Sequence, residues 1–249
     1  PVIYNMGCDD WYFSSNVNLC AFGQTKNARH TAVIMGDSVG LQWFPAIGEV
    51  FNRKDWRLLV ITKSSCSMLD QPLFYPRIGR VYTECSVWRK HATEILKKMK
   101  PDIVILGSTY TYKFTKNQWI SGTRDLLSQI SPFAKHVYIL RSTPTIPFDG
   151  PTCLAPRSWL YRLLARKNRC VAPAHNARFD DVYAWRELAA SHFPNVTSVD
   201  MTDAVCPEGK CQAQRNGVIV FRDSRHMTAT FTRTLGKRLA KQLQMSSDD

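Results

Sequence analysis

The sequence lacks the long apolar segments from which membrane helices are built. No stretch approaches the roughly 18–20 apolar residues that a transmembrane helix requires. The chain opens on Pro1, and its first residues do not follow the basic-then-apolar pattern of a signal peptide. We therefore expect the chain to be a processed or excised part of a longer protein, with any targeting or membrane segment outside it.

Acidic side chains are scarce beside basic ones. The chain has 20 Asp and Glu residues against 33 Lys and Arg residues, which gives a formal net charge of +13. Such an excess favours an anionic partner, such as nucleic acid, an acidic membrane surface or a glycan. The basic residues are mostly scattered, however, and no RNA-binding signature or zinc finger accompanies them. We therefore expect no nucleic-acid partner. A solvated basic surface and attraction to anionic phospholipid or lipopolysaccharide both remain open.

Closely spaced CxxC pairs, which are typical of zinc sites, are also absent. The eight cysteines come instead as neighbours along the chain, and an even number indicates disulfides, although connectivity does not follow from sequence alone. Free thiols and a zinc site are the alternatives. Oxidised pairs persist outside the cytosol, so the disulfide interpretation also indicates an extracytoplasmic compartment. We predict no metal site and four bridges between neighbours: Cys8–Cys20, Cys66–Cys85, Cys153–Cys170 and Cys206–Cys211.

The 249 residues, 44% of them hydrophobic, suffice for one α/β domain with a packed core. Short apolar runs predict buried parallel strands, and amphipathic segments between them predict helices. This alternation predicts a flavodoxin-like three-layer α/β/α sandwich around a parallel sheet, with its chemistry at the carboxyl ends of the strands. The predicted strands are residues 31–35, 58–62, 103–106, 137–140 and 196–199, and the predicted helices are residues 41–51, 88–99, 179–193 and 231–243.

The two ends of the chain depart from this alternation. Residues 1–30 fit it poorly, and we interpret them as an N-terminal extension packed on the domain and pinned by Cys8 and Cys20. Residues 31–245 form the predicted α/β domain. Residues 246–249 are short and polar, and we predict a disordered tail there.

The first segment with chemical content is Gly36-Asp37-Ser38, at the junction between the first predicted strand and the following helix. Ser38 is therefore expected on a strand-to-helix turn, at a helix N-terminus. A serine at such a position can act as an N-cap whose hydroxyl accepts a backbone N–H. It can equally be a nucleophile, because backbone N–H groups at this end of a strand can stabilise an oxyanion. The motif alone does not distinguish the two.

The second such segment contains Asp223 and His226, just before the last predicted helix. The Asp-x-x-His spacing lets the carboxylate and the imidazole of one turn lie side by side. The carboxylate can then hold one ring nitrogen while the other nitrogen faces a serine. A helix cap and a surface histidine are the alternative. Taken with the Gly-Asp-Ser turn in the same predicted sheet, the pair predicts a catalytic triad of Ser38, His226 and Asp223.

These two motifs resemble the first and last sequence blocks of the SGNH-hydrolase superfamily. The chain is more similar still to the SGNH domains fused behind acyltransferase-3 membrane proteins of bacteria, and the likeness covers nearly its whole length. Besides Gly-Asp-Ser and Asp-x-x-His, it is carried by residues 20–23 (CAFG), 42–46 (QWFPA), 62–66 (TKSSC), 85–89 (CSVWR), 100–106 (KPDIVIL), 143–144 (TP), 153–154 (CL) and 206–211 (CPEGKC).

The resemblance implies an SGNH hydrolase fold, a periplasmic location and an O-acyltransferase activity, with O-acetyl transfer as the expected case. In that family the membrane domain of the same polypeptide delivers an acyl group that comes ultimately from acetyl-CoA. The SGNH domain then passes it, through acylated Ser38, to a hydroxyl of a surface glycan such as O-antigen. No bound cofactor is implied. A carbohydrate O-acyl esterase with the same triad and a catalytically silent glycan-binding module are the alternatives.

The chain departs from the superfamily where the oxyanion hole is expected. The second and third blocks of the superfamily supply a glycine and an asparagine, whereas the corresponding strand exits here read Lys63-Ser64-Ser65-Cys66 and Gly107-Ser108-Thr109-Tyr110. An incomplete oxyanion hole predicts a slow or partner-dependent enzyme. As substitutes we predict Ser38, Ser65 and Ser108 for the oxyanion, and Tyr110, Tyr112 and Arg141 for contacts with the glycan.

Overall fold

The computed structural model describes residues 2–24, 26–155 and 170–245, and the predicted tail, residues 246–249, lies outside these ranges. The strands are β1 (Cys20–Gly23), β2 (His30–Gly36), β3 (Trp56–Thr62), β4 (Phe74–Tyr75), β5 (Arg80–Val81), β6 (Ile103–Gly107), β7 (His136–Leu140), β8 (Val171–Pro173), β9 (Val196–Val199), β10 (Lys210–Gln212), β11 (Gln214–Arg215) and β12 (Val218–Ile219). The helices are α1 (Val2–Asn5), α2 (Ser38–Leu41), α3 (Phe44–Phe51), α4 (Thr83–Met99), α5 (Lys116–Ile130), α6 (Gly150–Leu154), α7 (Ala177–Ala190), α8 (Thr202–Val205), α9 (Ala229–Arg233) and α10 (Gly236–Gln242), with 3-10 turns at Ser131–Phe133 and Pro207–Gly209.

The central sheet has six strands in the order β1-β3-β2-β6-β7-β9. The five strands from β3 to β9 are parallel, and each matches a predicted strand within two residues. The edge strand β1 is the exception, because it pairs antiparallel with β3 and is contributed by the region before residue 30. The predicted α/β sandwich with a parallel sheet is therefore confirmed, with one antiparallel strand added at its edge.

Two hydrophobic cores lie on opposite faces of the sheet, as alternation along buried strands requires. On one face, Ile34 and Ile105 pack with residues of α3, α9 and α10. On the other, Val33 and Val104 pack with residues of α4 and α5. The helices therefore cover both faces, which makes three layers. Among the described residues no helix is long and apolar enough to cross a membrane.

The helices differ from prediction in four main respects. The predicted first helix is two helices, α2 and α3, and the predicted last helix is likewise divided into α9 and α10. Helix α4 begins at Thr83, five residues before the predicted start. Helix α5 was not predicted at all. Its N-terminus is a capping box in which the Thr115 hydroxyl accepts the Gln118 N–H and the Gln118 side chain accepts the Thr115 N–H, a spacing visible in the sequence.

All four predicted disulfides are present: Cys8–Cys20, Cys66–Cys85, Cys153–Cys170 and Cys206–Cys211. The first joins the N-terminal region to the edge strand β1. That region is also held by charge, because the fully buried Lys63 Nζ donates to Asp10 Oδ1 at 3.0 Å and to the Ser14 carbonyl at 2.6 Å. The residues before β2 are thus fastened to the end of β3, on the side of the sheet where parallel strands finish.

Candidate active site

Ser38 lies where strand β2 ends and helix α2 begins. Asp37 is the N-cap of α2, and its Oδ1 accepts the N–H groups of Val39 at 2.8 Å and Gly40 at 3.3 Å. The predicted N-cap role thus falls to Asp37, which leaves the Ser38 side chain free for another partner. The first N–H groups of a helix have no acceptor within the helix, so the Ser38 N–H stands where an anion can be stabilised.

The hydroxyl of Ser38 meets the imidazole of His226, which in turn meets the carboxylate of Asp223. The distance from Ser38 Oγ to His226 Nε2 is 2.9 Å, and His226 Nδ1 lies 3.0 Å from both carboxylate oxygens of Asp223. Because a carboxylate only accepts, Nδ1 carries the ring proton and Nε2 can accept one from Ser38. The structure therefore brings together the three residues predicted as a triad, in the order nucleophile, base and orienting acid.

A tight loop fixes Asp223 and His226 relative to each other. Asp223 Oδ1 accepts the backbone N–H groups of Arg225 and His226, both at 2.8 Å, and the Arg222 N–H donates to the His226 carbonyl at 2.9 Å. Burial by itself raises the pKa of Asp223, but hydrogen bonds from His226 and the Arg225 N–H outweigh it and lower the pKa to about 2. Asp223 is therefore ionised at neutral pH and stabilises a protonated His226.

The side chain of Gln42 links the nucleophile to the histidine loop. Its Nε2 donates to the Thr143 hydroxyl at 2.8 Å and the Val39 carbonyl at 3.0 Å, while its Oε1 accepts the Met227 N–H at 2.7 Å. Gln42 is buried and follows α2 directly. A single amide thus ties the helix that carries Ser38 to the residue next to His226. Nothing in the sequence indicated this role for Gln42, apart from the position of Gln42 in the QWFPA segment.

A second buried network joins the nucleophile turn to the end of β6. Asp37 Oδ2 accepts the Ser108 hydroxyl at 2.8 Å, the Thr109 N–H at 2.9 Å and the Tyr112 hydroxyl at 2.9 Å. Burial, and then the nearby Asp37 carboxylate, raise the pKa of Tyr112 well above its usual value. Tyr112 is therefore a neutral donor at physiological pH, and Asp37 has five donors around a side chain that is 1% exposed.

The nucleophile turn also requires glycine where two backbones meet. A Cβ on Gly40 would lie 2.3 Å from the carbonyl oxygen of Gly107, and one on Gly36 would lie 1.9 Å from the same atom. Helix α2 thus crosses directly over the end of β6, which only residues without a side chain permit. This close approach holds Ser38 near the loop that follows Gly107.

An open cleft of about 590 Å³ lies over the triad. Ser38 and His226 form part of its floor, and the β4–β5 hairpin and the loop after β6 form its walls. Its polar part includes Ser65, Thr109 and Thr111, and its outer wall includes Phe74, which is 60% exposed. A cleft of this volume can hold a sugar residue or two, and its polar floor suits a hydroxylated substrate.

Two of the three predicted oxyanion donors lie in this cleft. Ser38 and Ser65 line it, and Ser65 has the left-handed φ of 59°, a conformation that glycine adopts most easily, at the strand exit where the superfamily has its glycine. Ser108 does not line it, because its buried hydroxyl is directed at Asp37. The neighbouring Thr109 lines the cleft instead, with its hydroxyl 3.0 Å from that of Thr111. This corrects the assignment of Ser108.

Of the three residues predicted to contact the glycan, only Tyr112 lines the cleft. Tyr110 is buried in a separate apolar cluster, where its hydroxyl is paired with that of Thr145. Arg141 is 8% exposed and forms ion pairs with Asp200 and Asp180. The prediction for Tyr110 and Arg141 is therefore corrected, because internal partners hold both side chains away from the cleft.

A family model described as the SGNH domain fused to AT3 domains matches residues 7–241, so the chain belongs to that family. No curated protein matches it in sequence. Among solved structures, it is similar to the periplasmic domain of a lipopolysaccharide acetyltransferase from Salmonella ser. Paratyphi A, with a TM-score of 0.70 and 15% identity over 88% of this chain and 85% of that one. It is also similar to a catalytic mutant of an acetylxylan esterase from Geobacillus stearothermophilus, with a TM-score of 0.52 and 11% identity over 90% and 97% of the two chains.

These similarities show the fold, which is that of the SGNH hydrolases. One of these two neighbours is an acetyltransferase domain and the other is an esterase.

Proposed function

We propose that this chain is the acyl-transferring domain of a periplasmic O-acyltransferase, with acetyl as the acyl group and a surface glycan such as O-antigen as the acceptor. The observation that carries the proposal is the geometry of Ser38, His226 and Asp223, with Ser38 and His226 on the floor of an open cleft. Membership of the family fused to AT3 domains supports a membrane partner in the same polypeptide. The four disulfides agree with an oxidising compartment outside the cytosol.

The reaction would proceed in two halves through an ester on Ser38. In the first, Ser38 Oγ bonds to the acyl carbon, the bond from that carbon to the donor breaks, and the serine proton passes through His226 Nε2 to the departing donor group. In the second, His226 takes the proton of a glycan hydroxyl, whose oxygen bonds to the acyl carbon. The bond to Ser38 then breaks and its oxygen regains the proton. Asp223 holds the histidine tautomer throughout.

The acyl donor would reach this domain from the membrane domain, and ultimately from acetyl-CoA, so that the chain itself needs no cofactor. The oxyanion of each tetrahedral intermediate would be stabilised by the Ser38 N–H, with Ser65 and Thr109 as the further donors that face the cleft. Thr109 stands one residue beyond Ser108 and can offer its hydroxyl where the superfamily has an asparagine amide. Tyr112 keeps its place as a wall of the acceptor site.

A carbohydrate O-acyl esterase is the second candidate, because the cleft that would admit a sugar hydroxyl also admits water. The two activities share every step except the identity of the second nucleophile. Slow hydrolysis in the absence of a glycan is the result that favours the transferase over the esterase. An oxyanion hole without the asparagine stabilises the tetrahedral intermediate weakly, so the chain alone should hydrolyse esters slowly. Glycan contacts must then supply orientation for the reaction.

The test is p-nitrophenol release from p-nitrophenyl acetate by the purified chain, with and without the surface polysaccharide of the host, followed by mass analysis of the glycan. We expect slow release alone, a higher rate with polysaccharide, and acetyl groups on the sugar. The Ser38→Ala variant is the control and should lack both activities. Fast hydrolysis that polysaccharide leaves unchanged, with no acetyl on any sugar, would establish the esterase instead.

A further inference from the structure

A second cavity, of about 110 Å³, also reaches Ser38 and shares no other lining residue with the large cleft. Its walls are mainly apolar, and two of its polar side chains, Arg222 and Arg233, have acidic partners in Asp223 and Glu49. The residues that line it are Ile3, Tyr4, Ser38, Leu41, Gln42, Phe44, Pro45, Arg222, Met227, Ala229 and Arg233.

Ser38 is the member of the triad that lines both cavities, whereas His226 lines the large cleft and is absent from the walls of the small one. In an acyl-enzyme, this difference determines where the acceptor and the acyl chain can lie. The hydroxyl that attacks the acyl carbon must give its proton to His226, so the acceptor has to approach from the large cleft. The alkyl part of an acyl group on Ser38 then has to point elsewhere, and the small cavity is the apolar space adjoining the same serine.

We propose that the small cavity is the acyl pocket of this domain and that its volume restricts the acyl group to a few carbons. The inference rests on the proposed function, since it needs an ester on Ser38. The buried side chains of Ile3, Leu41 and Met227 supply the apolar wall, and Phe44 closes one side. For scale, an apolar protein cavity of about 150 Å³ holds one benzene molecule. A cavity of 110 Å³ therefore suits short chains such as acetyl, propionyl or butyryl, and is too small to enclose a fatty acyl chain.

The N-terminal region takes part in this pocket. Ile3 is 2% exposed and Tyr4 is half-buried, and both come from helix α1, before the antiparallel edge strand. Tyr4 Oη lies 3.4 Å from Ser64 Oγ, which donates to Asp9 Oδ2 at 3.0 Å. The residues that precede the α/β domain thus complete a cavity that the domain alone leaves open beside its nucleophile.

The experiment measures the rate at which p-nitrophenyl alkylphosphonates label Ser38, by intact-protein mass and p-nitrophenol release. Labelling needs attack by Ser38 but no turnover, so it reports even on a slow enzyme. We compare methyl, butyl and decyl phosphonates on the purified chain. A methylene that does not fit a pocket typically costs about 10-fold to 200-fold. We expect methyl and butyl to react at similar rates and decyl at least about 10-fold more slowly.

Two variants move the limit in opposite directions. Phe44→Ala removes a wall of the small cavity and should raise the labelling rate of decyl relative to methyl phosphonate by about 10-fold. Ala229→Leu adds bulk at an exposed helix start and should lower the labelling rate of butyl relative to methyl phosphonate by about 10-fold. Phe74→Ala is the matched control, because Phe74 lines the large cleft. It should leave the ratio of decyl to methyl unchanged.

The outcomes separate the inference from the proposed function. No labelling of Ser38 by any phosphonate would overturn the proposed function, because the serine would not be a nucleophile. Labelling that is equally fast for methyl and decyl would overturn the acyl pocket and leave the nucleophile in place. The acyl pocket would also be overturned if Phe44→Ala and Phe74→Ala changed the ratio of decyl to methyl labelling by the same factor. If Phe44→Ala does not fold, Ala229→Leu decides, since an unchanged ratio of butyl to methyl there also overturns the pocket.

Discussion

The Oε1 atom of Gln42 accepts the backbone N–H of Met227 at 2.7 Å, across 185 residues of sequence. The two halves of the triad come from opposite ends of the domain, and this bond joins them one residue away from His226. A buried amide with both of its polar atoms bonded has little freedom to move. Gln42 is therefore a positioning residue, which acts through the loop that carries the histidine, and its side chain also lines the small cavity beside Ser38.

We predict that Gln42→Ala lowers kcat for p-nitrophenyl acetate by about 10-fold to 100-fold, since a displacement of about 1 Å at a catalytic group can cost 100-fold. The matched control is Thr143→Val, which removes the hydroxyl that accepts from Gln42 but leaves the Met227 contact. Thr143→Val should lose less than about 3-fold in kcat and about 1 kcal/mol of stability through one lost hydrogen bond. Gln42→Ala loses three hydrogen bonds and should cost more stability, about 3 kcal/mol. Equal losses of kcat in the two variants would show that Gln42 serves stability alone.

The cleft leads to a prediction about two neighbouring hydroxyls. Thr109 faces the cleft, whereas Ser108 is bonded to Asp37 and is 5% exposed. If Thr109 supplies an oxyanion donor, Thr109→Val should lower kcat by about 100-fold with little change in KM, because such a donor acts mainly in the transition state. Ser108→Ala should lower the melting temperature and reduce kcat by less than about 10-fold. The reverse order of the two effects on kcat would return the oxyanion role to Ser108.

The pKa of Asp223 leads to a prediction about acid. Its folded-state value of about 2 lies below the usual value of 3.8, so its ionised form stabilises the fold above about pH 4. That contribution is lost as the pH falls toward 2. A carboxyl ¹³C NMR titration, with the signal assigned through Asp223→Asn, should therefore give a midpoint near 2. A midpoint at or above 4 would mean that the bonds from His226 and the Arg225 N–H are not formed in solution.

The meeting of Ser38, His226 and Asp223 could be predicted from the sequence because both segments that carry them are local motifs. Gly-Asp-Ser sits at a strand-to-helix junction and Asp-x-x-His in one turn, and a parallel sheet brings strand ends to one edge. The direction in which a side chain points beyond a strand end depends on residues that are distant in the sequence. Tyr110, Tyr112 and Arg141 follow strands in the same manner, yet only Tyr112 reaches the cleft. The other two have long-range partners, and no sequence pattern specifies those contacts.

The fold shows the same division between local and long-range information. The buried strands could be predicted because runs of apolar residues are unambiguous. Helix α5 was not predicted, although its capping box at Thr115 and Gln118 is visible in the sequence. The antiparallel strand β1 has only four residues, and its pairing with β3 depends on contacts made elsewhere, among them the Lys63–Asp10 ion pair and the Cys8–Cys20 disulfide.

The last prediction concerns the Cys8–Cys20 disulfide, which fastens the N-terminal region beside the active site. Replacing both cysteines by serine should cost about 3 kcal/mol in the free energy of unfolding, because the bridge closes a loop 12 residues apart in sequence. The control replaces Cys206 and Cys211, whose separation is 5 residues, and should cost about 2 kcal/mol. The measurements are urea unfolding and the rate at which methyl phosphonate labels Ser38.

The two double variants should differ more in labelling than in stability. Asp9, next to Cys8, accepts the Ser64 hydroxyl at 3.0 Å, and Ser65 of the cleft follows directly. Loss of the first bridge loosens this contact together with Ile3 and Tyr4 beside Ser38. We therefore expect labelling to slow by at least about 3-fold in the Cys8/Cys20 variant, an effect of roughly 0.7 kcal/mol, and to be unchanged in the Cys206/Cys211 variant. Equal labelling in both, measured well below their unfolding midpoints, would show that the N-terminal region stabilises the fold without shaping the site.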